Sequence, residues 1–254
     1  MTSSFKAITS LNNPLIKKIA SLRLKKNRLE EGLFMAEGAY ALQAALKSDL
    51  YEIDCLLFTS EPPQAPAAVQ LVKVDKKIMA KLSAQGNAND VLGVFRFKPK
   101  GLPPAIPRFR SMVVLETIRD PGNLGSILRS AAALQVDGVV LLGESCDPYS
   151  PECVRASMGA IFSVPVYQAA IADFIRLRPN LKGHLIGAAA NGTHYKKILY
   201  DAPVILLMGS EQNGLSPELV KLCDDVAALP MPGKMESLNV AVAAGIMLYE
   251  ILKP

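Results

Sequence analysis

The sequence lacks the features that mark several protein classes. Its 254 residues include no Trp, two His and four Cys, and the cysteines form no Cys-x-x-Cys pair. This spacing matches neither a disulfide scaffold nor a set of metal ligands, so we expect reduced thiols, no metal site and a cytoplasmic protein. The longest apolar stretch, residues 240–248, is much shorter than the roughly 20 residues of a membrane-spanning helix, so we expect no membrane span.

Acidic residues are absent from residues 1–29, a segment that holds seven basic residues. The whole chain has 28 Lys and Arg and 23 Asp and Glu, so its net charge of +5 comes from this one end. A localised basic segment indicates a nucleic-acid contact, although a solvated helix face has the same composition. The candidate RNA-binding residues of the segment are Lys17, Lys18, Arg23, Lys25, Lys26 and Arg28.

A basic N-terminus without acidic residues is also typical of a transit peptide. Here, however, Asn13 and Pro14 form a helix-start pattern, because Asn caps helices and Pro suits the first helical position. Leu15, Ile19 and Leu22 then repeat at helical spacing. The segment is therefore predicted to be a basic helix that packs against a core.

Prolines cluster at one point of the chain. Pro99, Pro103, Pro104 and Pro107 stand among basic residues, and such a segment continues neither a helix nor a central strand. With half of its residues hydrophobic, the chain has enough apolar material for a core on each side. We therefore predict a first domain over residues 1–98, a linker over residues 99–110 and a second domain over residues 111–254.

Short apolar runs alternate with helical patterns in both parts, which predicts an α/β fold. The second part predicts a mostly parallel sheet with helices on both faces, and ligands of such sheets bind beyond the carboxyl ends of the strands. The predicted strands cover residues 55–58, 71–74, 91–97, 113–115, 138–142, 185–189 and 204–208. Predicted helices cover residues 38–48, 123–134 and 237–252, and two more follow the Ser-Pro-Glu patterns at residues 150–152 and 216–218.

Three polar loops come after predicted strands, at residues 120–125, 209–216 and 229–239. Asn123 is predicted to cap the helix after the first loop, and Ser237 to cap the helix after the third. Asn239 would then be a buried polar residue that needs hydrogen-bond partners. In the second loop Leu215 stands where a Walker A loop requires Lys, and no GxGxxG follows a strand, so neither a P-loop nor a dinucleotide site is supported.

These loops resemble the three motifs of the SpoU/TrmH family of SPOUT RNA 2'-O-ribose methyltransferases. Residues 123–129 resemble motif one, residues 207–211 with 214–216 motif two, and residues 229–231 with 236–240 motif three. Residues 147–149 and 154–160 also resemble the family. Residues 8–14 and 34–38 resemble the L30e-like domain with which many members bind their substrate, so the likeness covers nearly the whole chain.

The resemblance implies a C-terminal trefoil knot, one of the rare exceptions to unknotted chains, and a smaller N-terminal α/β L30e-like domain. It also implies a homodimer with its active site near the interface. The cofactor would be S-adenosylmethionine, and the positions carried over for binding it are Met208, Gly209, Leu229, Met231, Leu238 and Asn239. The positions carried over as catalytic are Arg129, Asn123, Glu211, Ser237 and Asn239.

The reaction implied is one in-line attack of a ribose 2'-hydroxyl on the sulfonium methyl group, without a metal. A guanidinium stays protonated, so Arg129 is expected to bind the neighbouring phosphate and stabilise the developing alkoxide rather than remove the proton. Glu211 is expected to orient either Arg129 or the third loop. Asn123 and Asn239 are expected to position these groups.

The favoured substrate is ribosomal RNA, because L30e-like relatives bind structured RNA. The same chemistry on tRNA is the first alternative. A non-catalytic RNA-binding or ribosome assembly factor is the second, and the intact Arg129, Glu211 and Asn239 argue against it. Two departures from the family pattern leave the target open: Glu152 stands where members often carry a basic residue, and residues 85–90 lack the usual Pro-Gln-Gly turn.

Overall fold

The computed structural model of the protein describes residues 5–83, 89–102, 109–201 and 203–253. The chain divides into two compact units. The first contains Met1–Lys98 and Tyr149–Ser163, and the second contains Pro99–Pro148 and Val164–Pro254. The segment Tyr149–Ser163 was assigned to the second domain from the sequence, and its contacts place it in the first. Residues 103–108 of the predicted linker lie outside the described residues. So do residues 85–88, which belong to the segment that lacks the usual Pro-Gln-Gly turn.

The described residues form the mixture of strands and helices that the sequence predicts, with strands at residues 6–8, 33–37, 166–169 and 225–228 and helices at residues 76–82 and 171–177 in addition. The strands are β1 (Lys6–Ile8), β2 (Leu33–Glu37), β3 (Glu52–Phe58), β4 (Gln70–Val74), β5 (Val91–Arg96), β6 (Ser111–Glu116), β7 (Gly138–Leu142), β8 (Val166–Ala169), β9 (His184–His194), β10 (Val204–Met208) and β11 (Asp225–Ala228). The helices are α1 (Pro14–Ser21), α2 (Lys25–Glu31), α3 (Ala39–Leu46), α4 (Lys76–Leu82), α5 (Pro121–Ala133), α6 (Pro151–Ala156), α7 (Ile171–Leu177), α8 (Pro217–Val220) and α9 (Val240–Leu252). Short 3₁₀ turns cover Ala160–Phe162, Arg178–Asn180 and Tyr195–Lys197.

The first unit is built on a mixed sheet with the strand order β1-β4-β3-β5-β2. Strands β1, β4 and β3 run parallel, whereas β5 is antiparallel to both of its neighbours. Helices α1 and α4 cover a core that includes Ile16, Ile19, Leu22 and Ile78, all of them fully buried. The apolar stripe predicted for the N-terminal helix therefore packs as expected, with Asn13 capping α1 through a 2.9 Å bond from the Leu15 amide.

An aromatic cluster explains why Tyr149–Ser163 belongs to the first unit. Phe34 on β2 lies 5.2 Å from Tyr149 and 5.9 Å from Phe162, measured between ring centroids. Phe95 lies 4.6 Å from Phe162, and Phe97 lies 4.1 Å from Tyr149. Aromatic pairs at these separations add to the free energy gained from burial. This pairing could not be predicted from the sequence, because the two halves of the cluster are far apart in the chain.

The second unit is a parallel sheet of six strands in the order β11-β9-β10-β6-β7-β8. Every residue of β6, β7 and β10 is buried. Parallel strands covered on both faces are expected to be apolar throughout rather than alternating. The continuous apolar runs in the sequence therefore gave the right strands and the right sheet type.

Two helix starts differ from the prediction. Helix α5 begins at Pro121 because Asp120 is its cap and accepts a 2.7 Å bond from the Asn123 amide. The cap predicted at Asn123 is therefore wrong. Helix α9 is capped by Asn239, not by Ser237, and Asn239 is exposed rather than buried. Both errors leave the helices in place and change only which side chains are free for other bonds.

Helix α9 is apolar, but it is not covered on every side within the chain. Ala244, Met247 and Leu248 are buried, whereas Val242, Ile246 and Tyr249 are exposed at spacings of one helical turn. The helix therefore presents one apolar stripe to the core and a second one outward. None of the helices among the described residues is long and apolar enough to cross a membrane.

Candidate active site

The first two polar loops come together because their strands, β6 and β10, are neighbours in the parallel sheet, and the third loop follows β11, which lies beyond β9 in the same sheet. Met208 at the end of β10 is paired with Leu115 of β6 on one side and with Ala188 of β9 on the other. The carboxyl ends of these strands therefore lie side by side, and the loops at residues 117–120 and 209–216 leave the sheet at the same edge. This is the edge at which ligands bind in open α/β sheets.

A hydrogen-bonded chain of three side chains joins the loops. The Asn123 Nδ2 donates to Glu211 Oε1 over 2.9 Å, and the Asn239 Nδ2 donates to Asn123 Oδ1 over 2.8 Å. Asn123 therefore connects the second loop, which holds Glu211, to the start of α9. The three predicted residues are brought together although they are far apart in the sequence.

The donor and acceptor roles in these hydrogen bonds are fixed by the partners at both ends. Asn239 uses its Oδ1 to cap α9, accepting from the Ala241 and Val242 amides over 2.9 and 3.3 Å. Only its NH₂ group is then left to donate to Asn123. The Asn123 Oδ1 accepts that bond, so its NH₂ group faces Glu211, where a carboxylate is the matching acceptor. Glu211 therefore bonds to Asn123, which in turn bonds to Asn239 at the third loop.

The second loop is folded back on itself. Ser210 and Gly214 exchange two backbone hydrogen bonds of 3.1 and 3.0 Å, and Gly214 has a left-handed φ of 65°. A Cβ atom at Gly209 would lie 2.0 Å from the Gly214 carbonyl carbon. Only glycine at 209 allows this close approach of backbone to backbone.

Glu116 at the end of β6 supports the same loop and was missed by sequence reasoning. It is only 4 % exposed, and its Oε2 accepts a 2.8 Å bond from the Ser216 amide. A buried carboxylate is tolerated where a backbone N–H satisfies it. The only signal in the sequence was a charged residue at the end of an apolar strand.

A cavity of about 570 Å³ opens between the second and third loops. Its walls include a bulge in β9, where the register with β11 jumps from Gly187 to Thr193 and lets the small residues Ala188, Ala189 and Ala190 line the space. All positions carried over as cofactor-binding line this one cavity: Met208, Gly209, Leu229, Met231, Leu238 and Asn239. Sequence reasoning missed the alanines, Gln212, Met235 and Ala243, which line it too.

Two of the predicted catalytic residues lie outside the hydrogen-bonded chain. Ser237 is exposed and lines the cavity. Arg129 is exposed on α5, does not line this cavity, and makes no hydrogen bond or ion pair with a residue that the structure describes. Its guanidinium is therefore available to a ligand, and the expected contact between Arg129 and Glu211 is not formed.

Cys146 lies close to the acidic side of the site. Burial raises the pKa of its thiol to about 12, and the negative charges of Asp120, Glu211 and Asp147 act in the same direction. The thiol is therefore protonated at neutral pH, and a nucleophilic role for it is disfavoured. No group of three His, Cys, Asp or Glu side chains in the described part of the chain is arranged to hold a metal ion.

The predicted RNA-binding residues divide into two groups. Lys17, Lys18, Lys25 and Lys26 are exposed on α1 and α2. Arg28 is 3 % exposed and donates to the backbone carbonyls of residues 22 and 23 over 2.8 Å each, so the prediction that it contacts RNA is wrong. Its guanidinium holds the turn between α1 and α2 because those carbonyls need donors at a helix end.

Arg23 also donates its guanidinium hydrogen bonds to backbone carbonyls, as Arg28 does. It is exposed, and its Nη2 donates to the carbonyls of Lys81 and Ser83 over 2.9 and 2.5 Å. Lys18 pairs with Glu31 at 2.7 Å and Lys26 with Glu30 at 3.7 Å. Ion pairs this exposed are weak and exchange readily with other partners.

Comparisons with known proteins match both units. Residues 110–249 match the model of the SpoU rRNA Methylase family, and residues 13–93 match an MRM3-like substrate binding domain. A Synechocystis protein described as an uncharacterized tRNA/rRNA methyltransferase is 32% identical over 98% of this chain and 94% of its own length. The 23S rRNA (guanosine(2553)-2'-O)-methyltransferase RlmP of Bacillus subtilis is 28% identical over 97% of this chain and 99% of its own.

A solved structure is similar over nearly the full length. The crystal structure of an rRNA methyltransferase from Sinorhizobium meliloti with bound AdoMet has 36% sequence identity and a TM-score of 0.90. The match covers 98% of each chain. The likeness therefore extends to both units and is not confined to the sheet that carries the candidate site.

Gly209→Ala tests the backbone crossing in the second loop. Its Cβ must displace the backbone of residues 214 and 215, so we expect the free energy of unfolding to fall by about 1–3 kcal/mol. Gly233→Ala is the matched control, because its Cβ would meet nothing within 4 Å, and we expect a change within about 0.5 kcal/mol. Calorimetric melting of the two variants measures the difference, and equal melting temperatures would refute the crossing.

Proposed function

The chain belongs to the SpoU rRNA methylase family, and from this premise we propose how its residues transfer a methyl group from S-adenosylmethionine to a ribose 2'-hydroxyl in ribosomal RNA. Membership also agrees with the α/β fold class expected from the sequence, a SPOUT domain with a mostly parallel sheet and a smaller N-terminal α/β domain. The observation that carries the proposal is one cavity that is lined by the second and third motif segments, with Asn123 of the first segment hydrogen-bonded to a residue of each.

The cavity suits S-adenosylmethionine in size and lining. Its volume of about 570 Å³ is within the range of small-molecule sites, about 300–1,000 Å³. Leu229, Met231 and Leu238 contribute apolar side chains to its lining, and Gly209 contributes main chain without a side chain. When bound, the cofactor supplies an electrophilic methyl group. The protein then has to place the hydroxyl and stabilise the charge that develops on its oxygen.

Arg129 is the residue that we propose for this charge. It carries a permanent positive charge and no competing partner among the described residues. A guanidinium binds a phosphate with two parallel hydrogen bonds, and the same fork stabilises a neighbouring alkoxide. Arg129 would therefore anchor the RNA phosphate beside the target ribose, while its charge favours release of the hydroxyl proton to solvent water.

Glu211, Asn123 and Asn239 are proposed as positioning residues. Their hydrogen bonds fix the second loop relative to the start of α9, and both of these segments line the cavity. Ser237 lines the same cavity, and its hydroxyl has no hydrogen-bond partner among the described residues, which makes it a candidate for a direct contact with the ribose. A shift of about 1 Å in such an arrangement lowers the rate by orders of magnitude.

Ribosomal RNA is favoured as the substrate over tRNA for two reasons. A relative that matches this chain almost end to end is named for 23S rRNA, and a substrate binding domain precedes the methylase domain. A substrate in the ribosome also makes the cytoplasm the proposed location. The first unit would read RNA by its shape and unpaired loops, since side chains cannot read the deep groove of an RNA duplex.

The exposed lysines of α1 and α2 are proposed to contact the RNA backbone. Lys17 and Lys25 make no ion pair with any described residue, and Lys18 and Lys26 have only exposed partners. Each lysine that binds a phosphate releases counterions, so this part of the affinity should fall steeply with salt.

We propose that the protein acts as a homodimer through α9. Val242, Ile246 and Tyr249 form its outward apolar stripe, and Val242 follows the Asn239 cap at the cavity by less than one turn. A second copy seated on this stripe would cover the apolar surface and place its own residues near the site. The family resemblance implies the same assembly.

Transfer of labelled methyl groups tests the proposed function. The purified protein, labelled S-adenosylmethionine and RNA from cells that lack the protein should give label in ribosomal RNA, at a linkage that resists alkali because its 2'-oxygen is blocked. Arg129→Ala should lower the transfer rate by at least about 100-fold. Its affinity for S-adenosylmethionine, measured by calorimetry, should stay within about twofold, since Arg129 does not line the cavity.

Arg176→Ala is the control, because Arg176 is also exposed in the second unit and, among the described residues, pairs only with Asp173. It should transfer at the wild-type rate. Label in tRNA alone would overturn the choice of substrate, and full activity of Arg129→Ala would overturn the role of that residue.

Ile246→Glu tests the proposed dimer. A buried, unpaired carboxylate at an apolar interface is strongly unfavourable, so the variant should be a monomer by light scattering with little methyl transfer. Leu29→Glu is the control, because Leu29 is an exposed apolar residue of the first unit, and it should leave the dimer intact. A wild-type protein that is monomeric at micromolar concentration, yet active, would contradict the proposal.

A further inference from the structure

A second cavity, of about 240 Å³, lies within the first unit. It opens between the turn that joins β2 to α3 and the end of α6 with the turn that follows. Neither the motif segments nor the basic residues of α1 and α2 line it. The residues that give it its chemistry are Glu37, Tyr40, Asn89, Val154, Arg155 and Met158.

The floor of this cavity holds fixed hydrogen-bonding groups. Glu37 Oε2 accepts a 2.6 Å bond from the Ser83 hydroxyl and a 3.5 Å bond from the Asn89 Nδ2. Gly38, with a φ of 92°, lets the Asn89 amide approach closely, since a Cβ there would lie 3.3 Å from the Asn89 Oδ1. A carboxylate and an amide are therefore held side by side, and together they offer an acceptor and a donor to the edge of a planar ligand.

The rim of the cavity favours a negative charge. Arg155 is exposed and makes no hydrogen bond or ion pair with any residue that the structure describes. Helix α3 begins at the same rim, without a capping side chain and without an acidic residue in its first turn. Its first N–H groups and the free guanidinium thus point to a phosphate-sized anion at this edge.

Apolar side chains flank the opening. Tyr40 is 67 % exposed and Met158 is 50 % exposed, although exposing large apolar side chains to water is unfavourable in free energy. Met158 has a φ of 50°, a left-handed conformation that is unusual for a residue other than glycine. The turn is held there by the Ser157 hydroxyl, which donates to the Val154 carbonyl over 2.7 Å, and by Gly159, whose Cβ would lie 3.0 Å from Ala44.

We propose that this cavity binds one unpaired nucleobase of the substrate RNA, away from the nucleotide that is methylated. The ring lies against Tyr40 and Met158, the base edge bonds to Glu37 and Asn89, and Arg155 holds the adjoining phosphate. The proposal rests on the proposed function, because RNA must be the substrate. A carboxylate accepts from an exocyclic amino group, so the site suits cytosine, adenine or guanine, each of which carries one.

An unpaired base fits these features better than a duplex or a peptide. Proteins recognise RNA by stacking splayed-out bases on aromatic side chains and bonding to the base edges. A duplex would hide those edges in its base pairs. A peptide would need a series of hydrogen-bond partners for its backbone. The cavity offers one carboxylate and one amide, Glu37 and Asn89, together with the exposed ring of Tyr40.

Binding of a short single-stranded RNA to the full-length protein tests the proposal. The probes are a fluorescein-labelled oligonucleotide of mixed sequence, an oligouridine of the same length, and a fully paired hairpin. Tyr40→Ala and Arg155→Ala should each weaken binding of the mixed strand by about tenfold and change hairpin binding much less. The loss in Arg155→Ala should shrink as salt rises, whereas the loss in Tyr40→Ala should persist.

The same helix supplies matched controls. Leu46→Ala removes an exposed apolar side chain at the other end of α3, and Lys47→Ala removes the exposed charge next to it. Both should bind the single strand as the wild type does. Tyr40→Phe keeps the ring and should restore wild-type affinity. Thermal melting of each variant shows that the first unit is intact.

Ultraviolet cross-linking locates the base directly. Irradiation of the wild-type complex should leave nucleotide adducts on peptides that carry Tyr40 or Met158. Equal affinities of Tyr40→Ala and wild type, with adducts elsewhere, would overturn this inference and leave the methyl transfer untouched. Absence of methyl transfer to any RNA would overturn the proposed function. The binding and cross-linking results could still be interpreted in that case, because neither measurement depends on methyl transfer.

Discussion

The candidate site depends on one side-chain amide. Asn123 donates to Glu211 and accepts from Asn239, and so joins segments that are 88 and 116 residues away from it in the sequence. Each end of this link is already engaged, because Asn239 caps α9 and Glu211 belongs to a loop locked by Gly209 and Gly214. A polar network in which every member has its partner holds loops in one arrangement. The cavity lies between the loops held in this way.

The link is possible because the parallel sheet delivers its loops to one edge. Strands β6, β10 and β9 end side by side, and caps on α5 and α9 turn the chain back immediately after the loops. Asp120 takes the capping position of α5 and so frees the side chain of Asn123 for the network. For the proposed methyl transfer, the protein would then supply this cavity, the exposed guanidinium of Arg129 and the exposed hydroxyl of Ser237.

Much of this could be predicted from the sequence, and the failures have physical causes. The buried strands β6, β7 and β10 were clear from continuous apolar runs, and the positions carried over for the cofactor line one cavity. The caps were misassigned because Asp120 and Asn123, like Ser237 and Asn239, are equally good capping types a few residues apart. The burial of Arg28 and the partition of Tyr149–Ser163 depend on contacts between distant segments, which no local pattern encodes.

A double-mutant cycle on the two asparagines tests the central claim most directly. Asn239→Asp keeps the oxygen that caps α9 and removes the donor to Asn123, whereas Asn123→Ala removes the acceptor of that bond. Methyl-transfer rates at saturating cofactor should fall in each single variant, and the double variant should lose less than the sum, with a coupling of at least about 0.5 kcal/mol. Strict additivity of the two losses would show that the amide link does not organise the site.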